Sequence, residues 1–213
     1  MAQSGEPQDK TDLRQSFLER RAVLHGGSTA GAAGSEIAAG ARSATELANA
    51  ELSERAIEFV NSNSAKSVAI YLSFSTEPST KQIIAELLAS GVLVLLPAVA
   101  TDHSLRWFEF DGASTKMGAL GFAEPDADRL PEASLTEADI IFVPALAVDE
   151  NGARLGRGGG YYDRALGQLI LGEKKHCLKV ALVYDEEVLP LLPSETHDIA
   201  VDAVITDKRL IEF

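Results

Sequence analysis

Apolar positions along this chain recur at two periods, and the places where one period gives way to the other outline its elements. Leu13, Phe17 and Leu24 fall at helical spacing and predict an amphipathic helix over residues 9–24, its arginines on other faces. A second helix is expected over 45–61, with Leu47, Ala56, Ile57 and Val60 buried. The β-rich run S-V-A-I-Y-L-S-F at 67–74 reads as a central strand. Thr76, Pro78 and Ser79 then give helix-start signals, Ile83, Ile84, Leu87 and Leu88 an apolar face, and Gly91 a stop. A short strand at 92–96, closed by Pro97, completes a strand–helix–strand unit that suggests a parallel crossover.

The second half continues the alternation. Residues 105–110 read as a further strand near an edge, 118–125 as loop, and 131–137 as a turn or short helix. Residues 140–148 form a buried strand, 161–171 a helix, and 179–184 and 201–206 two more strands. This order predicts one α/β domain over 1–213, a three-layer α/β/α sandwich with a mostly parallel sheet. Residues 1–8 read as a disordered lead and the Gly/Ala/Ser-rich stretch at 25–44 as a flexible insertion. Ligands in such sheets sit at the carboxyl ends of strands, so the loops after Phe74, Val148 and Tyr184 should be neighbours.

Composition narrows the function classes. The chain has 213 residues and a formal charge of -13, which argues against a nucleic-acid surface or an anionic membrane as partner. No apolar run approaches the ~18 residues of a membrane span, and the polar N-terminus lacks a signal-peptide core, so a cytoplasmic protein is expected. Cys177 is the one cysteine, which excludes an intrachain disulfide. Beside His176 it is a candidate catalytic thiol, though a small residue at a strand edge is the plainer reading.

Against this acidity one segment stands out, R-L-G-R-G-G-G-Y-Y-D from Arg154 to Asp163. Its glycines, Gly156, Gly158, Gly159 and Gly160, let backbone amides approach a ligand, and Arg154 and Arg157 carry planar cationic forks suited to phosphate oxygens. Strand, glycine loop and helix is the context for an anion at a helix N-terminus, although neither the P-loop nor the G-x-G-x-x-G pattern is matched. Of Tyr161 and Tyr162, one can stack on a heterocycle and the other belong to the core. Asp163 is either a complement to the helix dipole or a magnesium ligand, and Asp198, in T-H-D, is a second candidate acid. Lys10 and Arg14, four apart, share a helix face. Trp107 reads as sheet packing.

The segment D-I-I-F-V-P-A-L-A-V-D-E-N-G-A-R-L-G-R-G-G-G-Y-Y-D-R, from Asp139 to Arg164, resembles the signature of 5-formyltetrahydrofolate cyclo-ligases, also called 5,10-methenyltetrahydrofolate synthetases. K-x-x-L-R at Lys10 to Arg14, E-x-x-T at Glu77 to Thr80, G-F-A-E-P at Gly121 to Pro125 and H-D-x-x-V-D at His197 to Asp202 follow in the family's order. The resemblance implies a Rossmann-like, CoA-transferase-like sandwich and an ATP- and Mg2+-dependent ring closure by a monomer acting on small molecules. Lys10, Arg14, Arg154, Leu155, Gly156, Arg157, Gly158, Gly159, Gly160, Tyr161 and Tyr162 would then bind ATP. Phe74, Glu77 and residues 157–161 would border the folate, Arg157 and Tyr161 would act in catalysis, and Asp163 and Asp198 would hold Mg2+. The chain departs from the family at Glu187, where relatives often carry Gln, and in A-L-A-V-D, a packing change from G-V-A-F-D. A family member that binds nucleotide or folate without turnover is the alternative, and an ATP-dependent enzyme for another formylated or amide heterocycle is a third reading.

Overall fold

A computed structural model describes residues 9–25, 43–171, 177–196 and 198–213. The expected lead at 1–8, most of the expected insertion at 25–44, His176 and His197 lie outside the described residues.

Helix α1 (Lys10–Leu24) starts at Asp9, whose carboxylate accepts from the Thr11 amide, and α2 (Ala44–Ser62) opens with a capping box between Ser43 and Glu46. Strand β1 (Ser67–Ala69) leads to α3 (Lys81–Ala89), which stops where Gly91 takes φ 75°. Then come β2 (Leu93–Val99), β3 (Leu105–Glu109), a hairpin of β4 (Thr115–Met117) and β5 (Ala123–Pro125), and β6 (Glu132–Ala133). After a 3-10 turn at Leu135–Glu137 follow β7 (Ile140–Pro144), β8 (Ala147–Asp149), β9 (Arg154–Leu155) and α4 (Tyr161–Leu171). The chain ends with β10 (Leu178–Leu182), a 3-10 turn at Asp185–Glu187, β11 (Val188–Leu189), β12 (Ala203–Ile205) and β13 (Leu210–Glu212).

Eight strands form one sheet in the order β13-β12-β10-β7-β1-β2-β3-β6. The five from β12 to β2 run parallel, and β13, β3 and β6 pair antiparallel at the two edges. Apolar residues of α2 and α3 pack with one face, around Ile70, Phe142 and Leu182. Ala165 and Leu166 of α4 pack with the other, around Ile141, Val143 and Val183. The fold is thus α/β, with a large mostly parallel central sheet flanked by helices. No helix among the described residues is long and apolar enough to cross a membrane.

Several sequence expectations are corrected. The strand expected over 67–74 leaves the ladder after Ile70. Residues 71–74 bond instead to the turn that follows, Thr80 Oγ1 donating to the Tyr71 carbonyl and the Phe74 amide donating to Glu77. Strand β2 passes through Pro97 instead of closing at it. Strand β1 ends opposite Leu95, so the missing N–H of Pro97 interrupts no ladder. The run 140–148 is two strands: β7 belongs to the main sheet and β8 to a small sheet with β9 and β11. Because nearly every residue of that run is buried, no change of period marks the break.

The expected loop at 118–125 contains β5 and the turn of a hairpin. Strand β13, with its largely exposed residues, has no sequence signal. Leu47 is exposed because it lies about 140° around the helix from buried Leu52. Leu24 is exposed as well. Arg21, expected with the other arginines away from the apolar face, is buried like Phe17, since positions four apart share a face.

Candidate active site

The carboxyl ends of β1 and β7 open into a cavity of about 400 Å³, and every residue expected to bind nucleotide, folate or metal lines it. The glycine loop, 156–160, forms one wall between β9 and α4. Gly158 and Gly160 take φ of 97° and 65°, the left-handed region that favours glycine. A side chain at Gly159 would put its Cβ 2.6 Å from the Tyr161 ring, so here glycine is required for space. Helix α4 starts directly after the loop, and its first-turn amides have no intrahelical acceptor, which suits this end to an anion.

Helix α1 lays Lys10 and Arg14 along the same cavity. Arg14 Nε donates to the Gly156 carbonyl at 3.0 Å and thereby ties the helix to the loop. Lys10 Nζ sits 2.6 Å from Asp198 and 3.0 Å from Glu195. Burial works to lower the pKa of this ammonium, but the hydrogen bonds and charges of Asp198 and Glu195 outweigh it and raise it. Lys10 therefore stays charged.

Glu77 is held by the turn after β1, with only 4% of its side chain exposed. It accepts from Arg157 Nε and from the Phe74 amide, each at 3.1 Å. Burial pushes its pKa up, and Arg157, the Phe74 amide and, more weakly, Arg21 pull the other way without cancelling the rise. The Arg157 guanidinium also lies over the Phe74 ring, 4.5 Å from its centre, and Phe74 stacks on Phe122 with centroids 4.9 Å apart. A cation and two parallel rings thus make a flat wall next to a buried acid.

Arg154 has 3% of its side chain exposed; it donates to the Pro144 carbonyl at 3.1 Å and to Asp163 at 2.7 Å. Its Nε has no hydrogen-bond partner among the described residues. Of the two tyrosines, Tyr162 belongs to the core. It packs against both faces' clusters and edge-on to Trp107, and burial holds its phenol well above the usual range. Tyr161 is the one at the rim, near His103. Trp107 is itself buried packing. Cys177, the candidate catalytic thiol, is buried in the core and is not among the residues that line the cavity.

Asp163 and Asp198 both line the cavity, which offers a hard, oxygen-only donor set of the kind magnesium prefers. Among the described residues no three His, Cys, Asp or Glu side chains gather around one point, so an ion here would draw its remaining ligands from phosphate and water. Sequence reasoning missed Tyr71, Phe122 and Glu195, which also line the cavity. Phe122 had a signal in G-F-A-E-P, whereas Tyr71 and Glu195 had none. The loop after Tyr184, expected at the site, instead contributes Glu187 to a buried pair with Arg21 behind it.

Comparison with known proteins identifies the family. The model of the 5-formyltetrahydrofolate cyclo-ligase family matches residues 6–207. This chain belongs to that family. The 5-formyltetrahydrofolate cyclo-ligase of Mycolicibacterium smegmatis is 38% identical over 151 residues, covering 68% of this chain and 76% of that protein. The Haemophilus influenzae cyclo-ligase is 33% identical over 155 residues, 71% of this chain and 81% of its own. Among solved structures, the 5,10-methenyltetrahydrofolate synthetase of Aquifex aeolicus superposes with a TM-score of 0.71 at 28% identity, over 95% of this chain and 92% of that one. Cyclo-ligase family membership makes this chain a ligase and indicates 5-formyltetrahydrofolate cyclo-ligase activity.

Proposed function

We propose that this enzyme closes 5-formyltetrahydrofolate to 5,10-methenyltetrahydrofolate at the cost of ATP, releasing ADP and phosphate, with Mg2+ at the phosphates. In this reaction the formyl oxygen takes the γ-phosphoryl group, N10 attacks the activated carbon, and phosphate leaves. Such a transfer asks the protein for position and charge neutralisation more than for a nucleophile. The observation that carries the reading is the meeting of a glycine loop at a helix N-terminus, four cations and a buried acid beside an aromatic wall in one cavity.

In the proposed reaction Lys10, Arg14, Arg154 and the amides of 156–162 bind the phosphates. Arg157 stands between Glu77 and the ring wall, where it can meet charge developing on the formyl oxygen. Glu77 and Phe74 orient the pterin, and Tyr161 closes the rim. Asp163 and Asp198 would hold the magnesium, which neutralises phosphate charge when bound. The same family reading extends to the layering, a Rossmann-like three-layer sandwich.

The test is an absorbance assay for the methenyl product, with ATP omitted as control. ATP- and magnesium-dependent product with ADP release is the expected result. Binding of both substrates without ADP would make this a binding member of the family, and turnover of a different formylated heterocycle alone would reassign the substrate.

A further inference from the structure

Helix α1 delivers two of the cavity's four cations, yet it buries only two of its own residues, Phe17 and Arg21. Phe17 sits in a small satellite cluster with Leu146, Ala147, Leu155 and Leu192. Contact of that kind is favourable but non-directional, and it leaves a helix free to slide or spin by small steps. Arg21 is different. Its side chain is 1% exposed, Nε and Nη2 donate to the two Glu187 oxygens at 2.5 and 2.6 Å, and Nη2 also reaches the Ala145 carbonyl at 2.8 Å. Glu187 is fixed in turn by accepting from the Tyr184 amide at 2.9 Å. One guanidinium thus joins α1, the end of β7 and the turn after β10.

We infer that Arg21 is a positioning residue, whose fork on Glu187 and the Ala145 carbonyl sets the register of α1 so that Lys10 and Arg14 meet the glycine loop. A two-pronged guanidinium–carboxylate contact fixes direction as well as distance. Arg14 lies seven residues before Arg21, about 10 Å along the same helix face, where it reaches the Gly156 carbonyl. Setting one end of that face therefore sets the other. The pair is a poor choice for stability alone: buried ion pairs seldom outperform apolar replacements, and Nη1 of Arg21 has no partner among the described residues. Fixing register is the better-attested use of such pairs.

The inference rests on the proposed phosphate-binding role of α1, so its test separates the two. Arg21→Met combined with Glu187→Met removes both charges and keeps the volume, which should preserve the fold, checked by thermal unfolding. Inorganic tripolyphosphate with Mg2+ present, titrated by calorimetry, reads the cation cluster without any turnover. Its Kd should rise about tenfold, the size of one lost charge-assisted contact, and KM for ATP should rise in step while KM for the folate stays within about twofold. Glu187→Gln, which keeps an acceptor for the fork, should fall between parent and double variant and carries the same test if the double variant does not fold. A folded variant that binds tripolyphosphate as tightly as the parent overturns the inference. A parent that binds tripolyphosphate, and loses it on substitution, but forms no methenyl product overturns the proposed reaction and leaves the positioning role standing.

Discussion

Arg157→Ala should separate what Arg157 does for the fold from what it does for the chemistry. The substitution removes a hydrogen bond of 3.1 Å to Glu77, a carboxylate with 4% of its side chain exposed, and leaves it, among the described residues, only the Phe74 amide as a close donor. A hydrogen bond to a charged group contributes roughly 1.5–3 kcal/mol. Arg157 is itself 35% exposed, so solvent screening favours the lower part of that range, about 2 kcal/mol. For a domain of this size that corresponds to a fall in Tm of roughly 4–8 °C.

The loss should depend on pH with a definite sign. Burial already raises the pKa of Glu77 above its ordinary 4.5, and removal of Arg157 raises it further. Below 4.5 the carboxyl is protonated in both folded and unfolded chains, and the variant's deficit from this source vanishes. As pH rises past the parent's folded pKa, the parent's Glu77 ionises against Arg157 while the variant's stays protonated, so the deficit grows until pH passes the variant's folded pKa. Urea unfolding between pH 4.5 and 8 measures this. Adding Glu77→Gln should restore most of the stability, while turnover stays down by a hundredfold or more, on the order lost with an electrostatic donor to a transition state. A deficit that is flat with pH refutes the buried-carboxylate reasoning, and near-normal kcat refutes the assignment of Arg157 to the developing charge.

Asp163→Asn should raise the magnesium concentration needed for half-maximal rate. It should also destabilise the fold by about 3 kcal/mol in urea unfolding, because it leaves the buried Arg154 without its carboxylate. An unchanged metal titration would remove Asp163 from the metal site. Gly159→Ala drives a Cβ into the Tyr161 ring at the rim and should cut kcat/KM by at least about tenfold with little change in Tm; unaltered kinetics would show that the ring's position is unimportant. Cys177→Ala should keep activity within about twofold, since the thiol is buried in the core, and a large loss of kcat would revive the catalytic-thiol reading.

What could be read from the chain depended on the range over which each signal acts. Helix α4 appears over the residues expected for it, 161–171, because glycine punctuation and apolar spacing are both local. The cavity's members were legible for a related reason: the loop, Lys10 with Arg14, and Glu77 each sit in short motifs. The two-residue strands β6, β9 and β11 exist only because partners are adjacent in space, and no pattern two residues long can announce that. The Arg21–Glu187 pair spans most of the chain and joins two residue types that ordinarily mark surface, so neither end signalled the other.

Charge is where the fold adds most to the sequence. Arginines clustered in an acidic chain pointed to phosphate, and the folded cavity sets carboxylates directly against them. Lys10 pairs with Asp198 and Glu195, Arg154 with Asp163, and Arg157 with Glu77, so four lining cations are matched by four lining carboxylates; Arg14 rests on a carbonyl. A site so balanced has little net attraction for a bare polyanion carrying several negative charges. On the proposed reaction, a nucleotide whose charge is partly cancelled by magnesium suits it better, because the metal would engage the same carboxylates that otherwise hold the cations. Lys10 and Arg154 would then be released toward phosphate as Asp198 and Asp163 turn to the ion, so that acids and bases part only when both ligands are present. Pairing of this kind keeps the cations ordered and desolvated in advance, which lowers the cost of binding, and it makes the metal part of the recognition of the nucleotide as well as of the transfer step.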